Sequence, residues 1–123
     1  MISVLAHGLA IVLDLFIIFI GARFLLAPSV AAAGYGVPAK PDGDRAYLAV
    51  KGVRDISVGL IGLALLAFVD VRAEAWFMVG ATLIPLGDML IVLRHGGTRA
   101  VAFGIHLSTA VILLISAALL FAV

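Results

Sequence analysis

Three aspartates, two arginines, a lysine and two histidines interrupt otherwise apolar runs: Asp14, Asp55, Asp88, Arg23, Arg54, Lys51, His7 and His106. A charge at membrane depth costs roughly 2.5–3.5 kcal/mol on insertion scales, so such residues face a bundle interior and serve a purpose. Two carboxylates bridged by an arginine in a dry pocket can hold different protonation states. One stays ionised and activates water as general base, and the other donates a proton. Asp55 and Asp88, with Arg54 between them, are candidates for this set, with either aspartate as the base. His106 is a spare base or a substrate orienter. Arg23, Asp14, Lys51 and Thr109 are candidate substrate contacts, and Thr109 and Ser108 could hold a water.

These residues need helices to place them. The chain has 123 residues, 65% of them hydrophobic and only 12% charged, with a mean hydropathy of +1.32. A soluble domain carries ~25% charged residues, and a domain this small cannot bury so much apolar surface. An all-α bundle of four antiparallel transmembrane helices, forming one domain, is the expected fold. The spans read as about 2–26, 47–69, 74–93 and 98–121, each near the ~20 residues that cross the hydrocarbon. The runs are continuous rather than alternating, which excludes a β-barrel pattern. The N-terminus lacks a basic residue before its apolar stretch and does not read as a secretory signal.

The link over 27–46 is the only long one and carries Pro28, Pro38 and Pro41. Ser29–Gly34 reads as a short interfacial helix ending at Gly34 or Gly36. The other links, near Asp70–Ala73 and His95–Gly97, are short and make the joined helices antiparallel neighbours. Arg23, Lys40, Arg45, Lys51, Arg54, Arg94 and Arg99 fall on the side of the first and third links, and Arg72 on the other. The positive-inside rule then puts both termini outside. The absence of targeting signals favours an inner membrane.

Helical spacing places Gly52, Asp55, Gly59 and Gly62 on one stripe, where small residues let a neighbouring backbone approach. Lys51 is four residues before Asp55 and can pair with it. Pro85 should kink its helix a turn above Asp88. At ~1.5 Å per residue Arg54, Asp55, Asp88 and His106 all lie ~9–12 Å inside one interface, in one layer. Asp14 sits deeper, with no basic residue within a helical turn. Arg23 points about 180° from Asp14 on an ideal helix and either snorkels to the headgroups or is rotated inward before Pro28.

Each group also has a structural reading. Arg54, Asp55 and Asp88 could be a salt-bridge network that fixes helix register. Arg23, Lys51, Arg94 and Arg99 could be interfacial anchors, and His106 a core histidine bonded to a carbonyl. No metal or cofactor is expected, since there are no cysteines and no paired histidine spacing. His7 and His106 stand at different depths, which does not suit a haem held between them. A net charge of +1 argues against a nucleic-acid partner. The expected partners are the lipid bilayer and a lipophilic small molecule. The small-residue stripes permit a homodimer without requiring one.

Gly21-Ala22-Arg23-Phe24 with Pro28, Gly34-Tyr35-Gly36-Val37-Pro38, Lys51-Gly52-Val53-Arg54-Asp55, Pro85-Leu86-Gly87-Asp88 and His106-Leu107-Ser108-Thr109-Ala110 resemble a family of small four-helix membrane proteins without assigned activity. That family occurs in bacteria and filamentous fungi and is similar to the broader DoxX-like group, and its bacterial look implies a bacterial inner membrane. The resemblance covers nearly the whole chain and implies the fold and a shared site at Arg23, Arg54, Asp55, Asp88 and His106. In chemistry alone, the carboxylates and arginine resemble the Asp–Arg–Asp sites of limonene-type epoxide hydrolases, whose fold is soluble and unrelated. The sharpest expectation is therefore a membrane epoxide hydrolase acting on a lipophilic molecule that enters from the bilayer. The alternatives are a proton-coupled transporter built on Asp14, which resembles the embedded carboxylate of small multidrug exporters, and an accessory membrane subunit.

Overall fold

The computed structural model describes residues 1–40 and 43–123, so Pro41 of the long link lies outside the described residues. Among the described residues there are helices and no strands. Five helices follow in order: α1 (Ile2–Leu26), α2 (Pro28–Tyr35), α3 (Arg45–Phe68), α4 (Val71–Arg94) and α5 (Arg99–Phe121). The count exceeds the four spans by α2, the short helix expected near Ser29–Gly34.

Three of the five, α1, α4 and α5, are long and apolar enough to cross a membrane, with 25, 24 and 23 residues. Helix α3 matches them in length at 24 residues, but Lys51, Arg54 and Asp55 sit within its apolar part. Large apolar side chains such as Val4, Phe19, Phe68, Trp76 and Leu83 are exposed around the bundle. A lipid-facing coat has this character, because acyl chains rather than water surround it.

Sequence chemistry sets the helix ends. The Asp70 carboxylate accepts the Ala73 backbone N–H at 2.7 Å, and the Thr98 hydroxyl accepts that of Val101 at 3.1 Å. Both are N-cap bonds. Capping at Asp70 starts α4 at Val71 rather than at Glu74, so Glu74 lies a turn inside the helix. Pro85 has no N–H and its ring crowds the carbonyl of Ala81. Helix α4 accordingly divides into Val71–Ala81 and Leu83–Arg94, meeting at Thr82. The Thr82 hydroxyl donates to the Met78 carbonyl at 2.9 Å at that junction.

Helix α1 packs mainly on α3, and the first half of α4 on α5. One core, Ala6, Ala10, Ala75, Met78, Ala117 and Leu120, fills the end of the bundle away from α2. A second, Phe24 with Ala31 and Ala32, seats α2 against the opposite end. Helix α2 stops at Gly36, whose φ of 105° is left-handed. A Cβ there would also lie 2.8 Å from Val101 Cγ1 and 3.0 Å from Val92 Cγ1. Gly36→Ala is therefore expected to destabilise the chain by roughly 1–2 kcal/mol or more. Thermal unfolding in detergent, with Gly34→Ala as the unhindered comparison, measures this.

Candidate functional site

Helix α2 brings Tyr35 to the ends of α3, α4 and α5, and the polar side chains gather around it. Lys51 and Asp55 lie one turn apart on α3, and Lys51 Nζ donates to Asp55 Oδ2 at 2.7 Å. The ammonium also stands 4.7 Å from the Phe24 ring centroid and 4.5 Å from that of Tyr35. Those rings meet edge to face at 5.7 Å. The cation is thus held by one carboxylate and two aromatic faces.

His106 completes the group from α5. Its Nε2 lies 2.8 Å from the Tyr35 carbonyl oxygen. A carbonyl only accepts, so Nε2 is the donor in this bond. The acceptor is one of the orphan carbonyls that every helix end leaves. The imidazole also packs on the Tyr35 ring at 4.3 Å between centroids. Residues Ala102–Leu107 form a π-helical turn. Such turns are frequent at functional sites, and this one carries His106.

The Tyr35 hydroxyl is buried without a partner at hydrogen-bond geometry, beside Asp88 and Asp55. Burial first, and then the Asp88 and Asp55 carboxylates, push the phenol above the ordinary tyrosine value. The proton stays on the phenol.

These groups form one end of a hollow of about 160 Å³. That volume is close to a cavity of ~150 Å³ known to hold benzene. Its walls are apolar, among them Ile17, Val58, Phe77 and Pro85, while Lys51, Asp55, Asp88, Tyr35, His106 and Thr109 line the polar end. The lining residues Phe16, Ile84 and Ile105 are about half exposed, at 52%, 44% and 47%. The hollow therefore reaches the lipid-facing surface of the bundle. An apolar pocket with a few convergent polar groups is the usual form of a small-molecule site.

Asp55, Asp88, Lys51, His106 and Thr109 line one hollow, and of the four residues expected at a shared depth Arg54 alone is absent from it. The structure corrects the role of Arg54. That side chain is exposed, because neighbouring helix residues point about 100° apart and Asp55 takes the inward face. Lys51 supplies the cation expected of Arg54. Arg23 is exposed too and does not line the hollow. Asp14 is buried and lines the hollow, where it meets Glu74 rather than the Lys51 group. The hydroxyl protons of Thr109 and Ser108 are spent within α5, donated to Ile105 O at 2.7 Å and Gly104 O at 2.5 Å. Among the described residues no three His, Asp or Glu side chains converge as a metal site requires.

Three contributors escaped the sequence reading: Tyr35, Phe24 and Glu74. Gly34-Tyr35-Gly36 marks a chain reversal that can carry a side chain inward. Lys51→Met should leave buried Asp55 without its cation. A loss of about 1–3 kcal/mol is expected, less than for a fully enclosed pair because the lysine is 26% exposed. Unfolding compared with Arg54→Met, expected to be near neutral, checks the assignment.

A family model described as a domain of unknown function, DUF4267, matches residues 15–120. Neither the curated proteins nor the solved structures contain a match to the chain.

Proposed function

Because the chain belongs to the DUF4267 family, a domain of unknown function, its activity has to be read from the site, and we propose that it is a membrane enzyme doing acid–base chemistry on a lipophilic small molecule. Its sharpest form is epoxide hydrolysis. The carrying observation is the apolar hollow with Asp88, Tyr35 and the Lys51–Asp55 pair at one end. In this reading α1, α3, α4 and α5 span a bacterial inner membrane as an antiparallel bundle, with both termini outside. Lys51, Arg54 and Asp55 face the hollow or the headgroups, which lets α3 span despite them.

Asp55 is engaged by Lys51, so Asp88 is the free carboxylate and acts as base. It takes a proton from water, and the water oxygen bonds to a ring carbon. The ring C–O bond breaks, and the departing oxygen takes the Tyr35 proton. Lys51, over the Tyr35 ring, stabilises the phenolate. The proton on Asp88 then returns to Tyr35, and the net change is addition of one water to give a diol. His106 holds Tyr35 in place through its carbonyl, and Asp55 holds Lys51. Water and substrate meet in a low-dielectric space where these charges act strongly.

The test uses the chain in lipid nanodiscs, a panel of lipophilic epoxides and ¹⁸O-labelled water. Labelled diol supports the reading, and no diol from any substrate removes it. The same panel in proteoliposomes separates a second reading, which rests on Asp14 lining the hollow away from the polar end. Accumulation without chemical change, driven by a pH gradient, would make the chain a carrier.

A further inference from the structure

Two carboxyl groups meet in the bundle outside the Lys51 group. Glu74 on α4 has no exposed surface, and Asp14 on α1 is 5% exposed. The two side chains come within hydrogen-bonding reach of each other. Neither oxygen of Glu74 nor Oδ2 of Asp14 has a donor, and the fully buried Ser116 hydroxyl on α5 has no partner either. Ser116 precedes Ala117, which shares a core with Ala75, the residue after Glu74. On α3 the neighbour is Gly62. A Cβ there would lie 2.6 Å from Asp14 Cγ and 2.7 Å from Oδ2, so the missing side chain makes the room the carboxyl occupies.

The charged and titratable surroundings can be taken helix by helix. On α1, His7 lies two turns away, with Nδ1 bonded to the Ser3 carbonyl at 2.8 Å. Around Gly62, α3 contributes no charged residue after Asp55. On α4, Arg72 is exposed and lies over the Phe121 ring at 5.6 Å. Helix α5 has no titratable residue after His106. Across the hollow stand Asp55, Asp88, Tyr35 and His106, and Lys51, which is bound to Asp55. None of these places a cation on the pair. Two ionised carboxylates in contact, out of water and without a counter-charge, are not a stable arrangement. Protonating one of them turns the contact into an O–H···O⁻ hydrogen bond of the strong, charge-assisted kind.

We propose that Asp14 and Glu74 form a proton-binding site, with one proton held between the two carboxyls and exchanged through Asp14 with the hollow. The site is separate from the Lys51–Asp55–Asp88–Tyr35 group and does not depend on the reaction assigned to it. It gives the chain a place to take up and release a proton near the middle of α1, whatever the hollow binds. Intramembrane carboxyls of this kind mark proton or ion pathways.

Infrared spectroscopy of the full chain in nanodiscs tests this. At neutral pH the wild type should show a protonated-carboxyl C=O stretch that both Glu74→Gln and Asp14→Asn remove. Each substitution replaces an acid by an amide that can donate to the remaining carboxylate, so both variants should fold. Absence of a protonated-carboxyl band in the wild type overturns the proposal, whichever variants fold. Persistence of the full band in either folded variant also overturns it. Unfolding in sodium chloride and in choline chloride provides a second readout. Equal midpoints are expected. A sodium-dependent rise that Glu74→Gln abolishes would show a metal cation in place of the proton.

Discussion

Asp88→Asn should lower diol formation by about 10²–10⁴-fold, the usual contribution of a positioned general base, while the thermal midpoint changes little. The two halves of that expectation have separate causes. Asparagine keeps the shape of the side chain but cannot take a proton from water. Asp88 makes no ion pair among the described residues, where the one salt bridge is Lys51–Asp55, so its loss leaves no stranded cation. Asp55→Asn differs, because it releases Lys51 into an aromatic cleft and should lower both rate and stability. Tyr35→Phe should reduce kcat more than it raises KM, since the phenol is needed at the departing oxygen and the ring still packs on Phe24 and His106. Single-turnover measurements in nanodiscs, read beside thermal midpoints, separate these patterns. Unchanged diol formation by folded Asp88→Asn would remove the base from the scheme.

Gly59→Ala is the second large effect expected, at about 1–3 kcal/mol of lost stability. The added Cβ would lie 2.5 Å from the Asp14 carbonyl oxygen and 2.5 Å from Ile18 Cγ1. Backbone on one side and a branched side chain on the other leave little room to yield. Gly21 and Gly52 are similarly tight, with a Cβ at Gly21 2.5 Å from Gly52 O and one at Gly52 2.7 Å from Gly21 O. The α1–α3 contact is thus glycine against backbone for much of its length, as small residues allow between helices in lipid. Gly104→Ala, with nothing within 4 Å of its Cβ, is the control and should change stability little. Equilibrium unfolding in mixed detergent micelles gives both values. Equal stability of the two variants would mean that the helices are not this close.

The regular features of the molecule were legible in its residues. Continuous apolar runs gave the long helices, and the glycine stripe gave the inward face of α3, with Asp55 on it and Lys51 one turn before. Pro85 announced the break in α4, and the short helix expected over Ser29–Gly34 matches α2 to within a residue at each end. Counting residues from the helix ends put Arg54, Asp55, Asp88 and His106 in one layer, and the last three line the hollow. The irregular features resisted. Arg54 has the depth of that layer, but a helix separates neighbours by about 100° and turns it outward. Glu74 stood at the expected start of its span because Asp70 and Arg72 precede it, yet Asp70 is a cap and the helix has already begun. Tyr35 reaches the site because α2 folds back under the bundle, a tertiary event that a local pattern does not carry. The π-turn at Ala102–Leu107 leaves no trace in a 3.6-residue periodicity and shifts the phase of everything after it.

That turn also constrains how the gene can change. A π-turn amounts to one residue more than an α-helix would use, and His106 lies within it. Removing a single codon there would swing the rest of α5 by about 100° relative to its start. Either the imidazole would leave the Tyr35 carbonyl, or Ser116, Ala117 and Leu120 would rotate out of the interior toward lipid. The insertion is therefore locked in from both sides, and a descendant could shed it only together with a rebuilt helix.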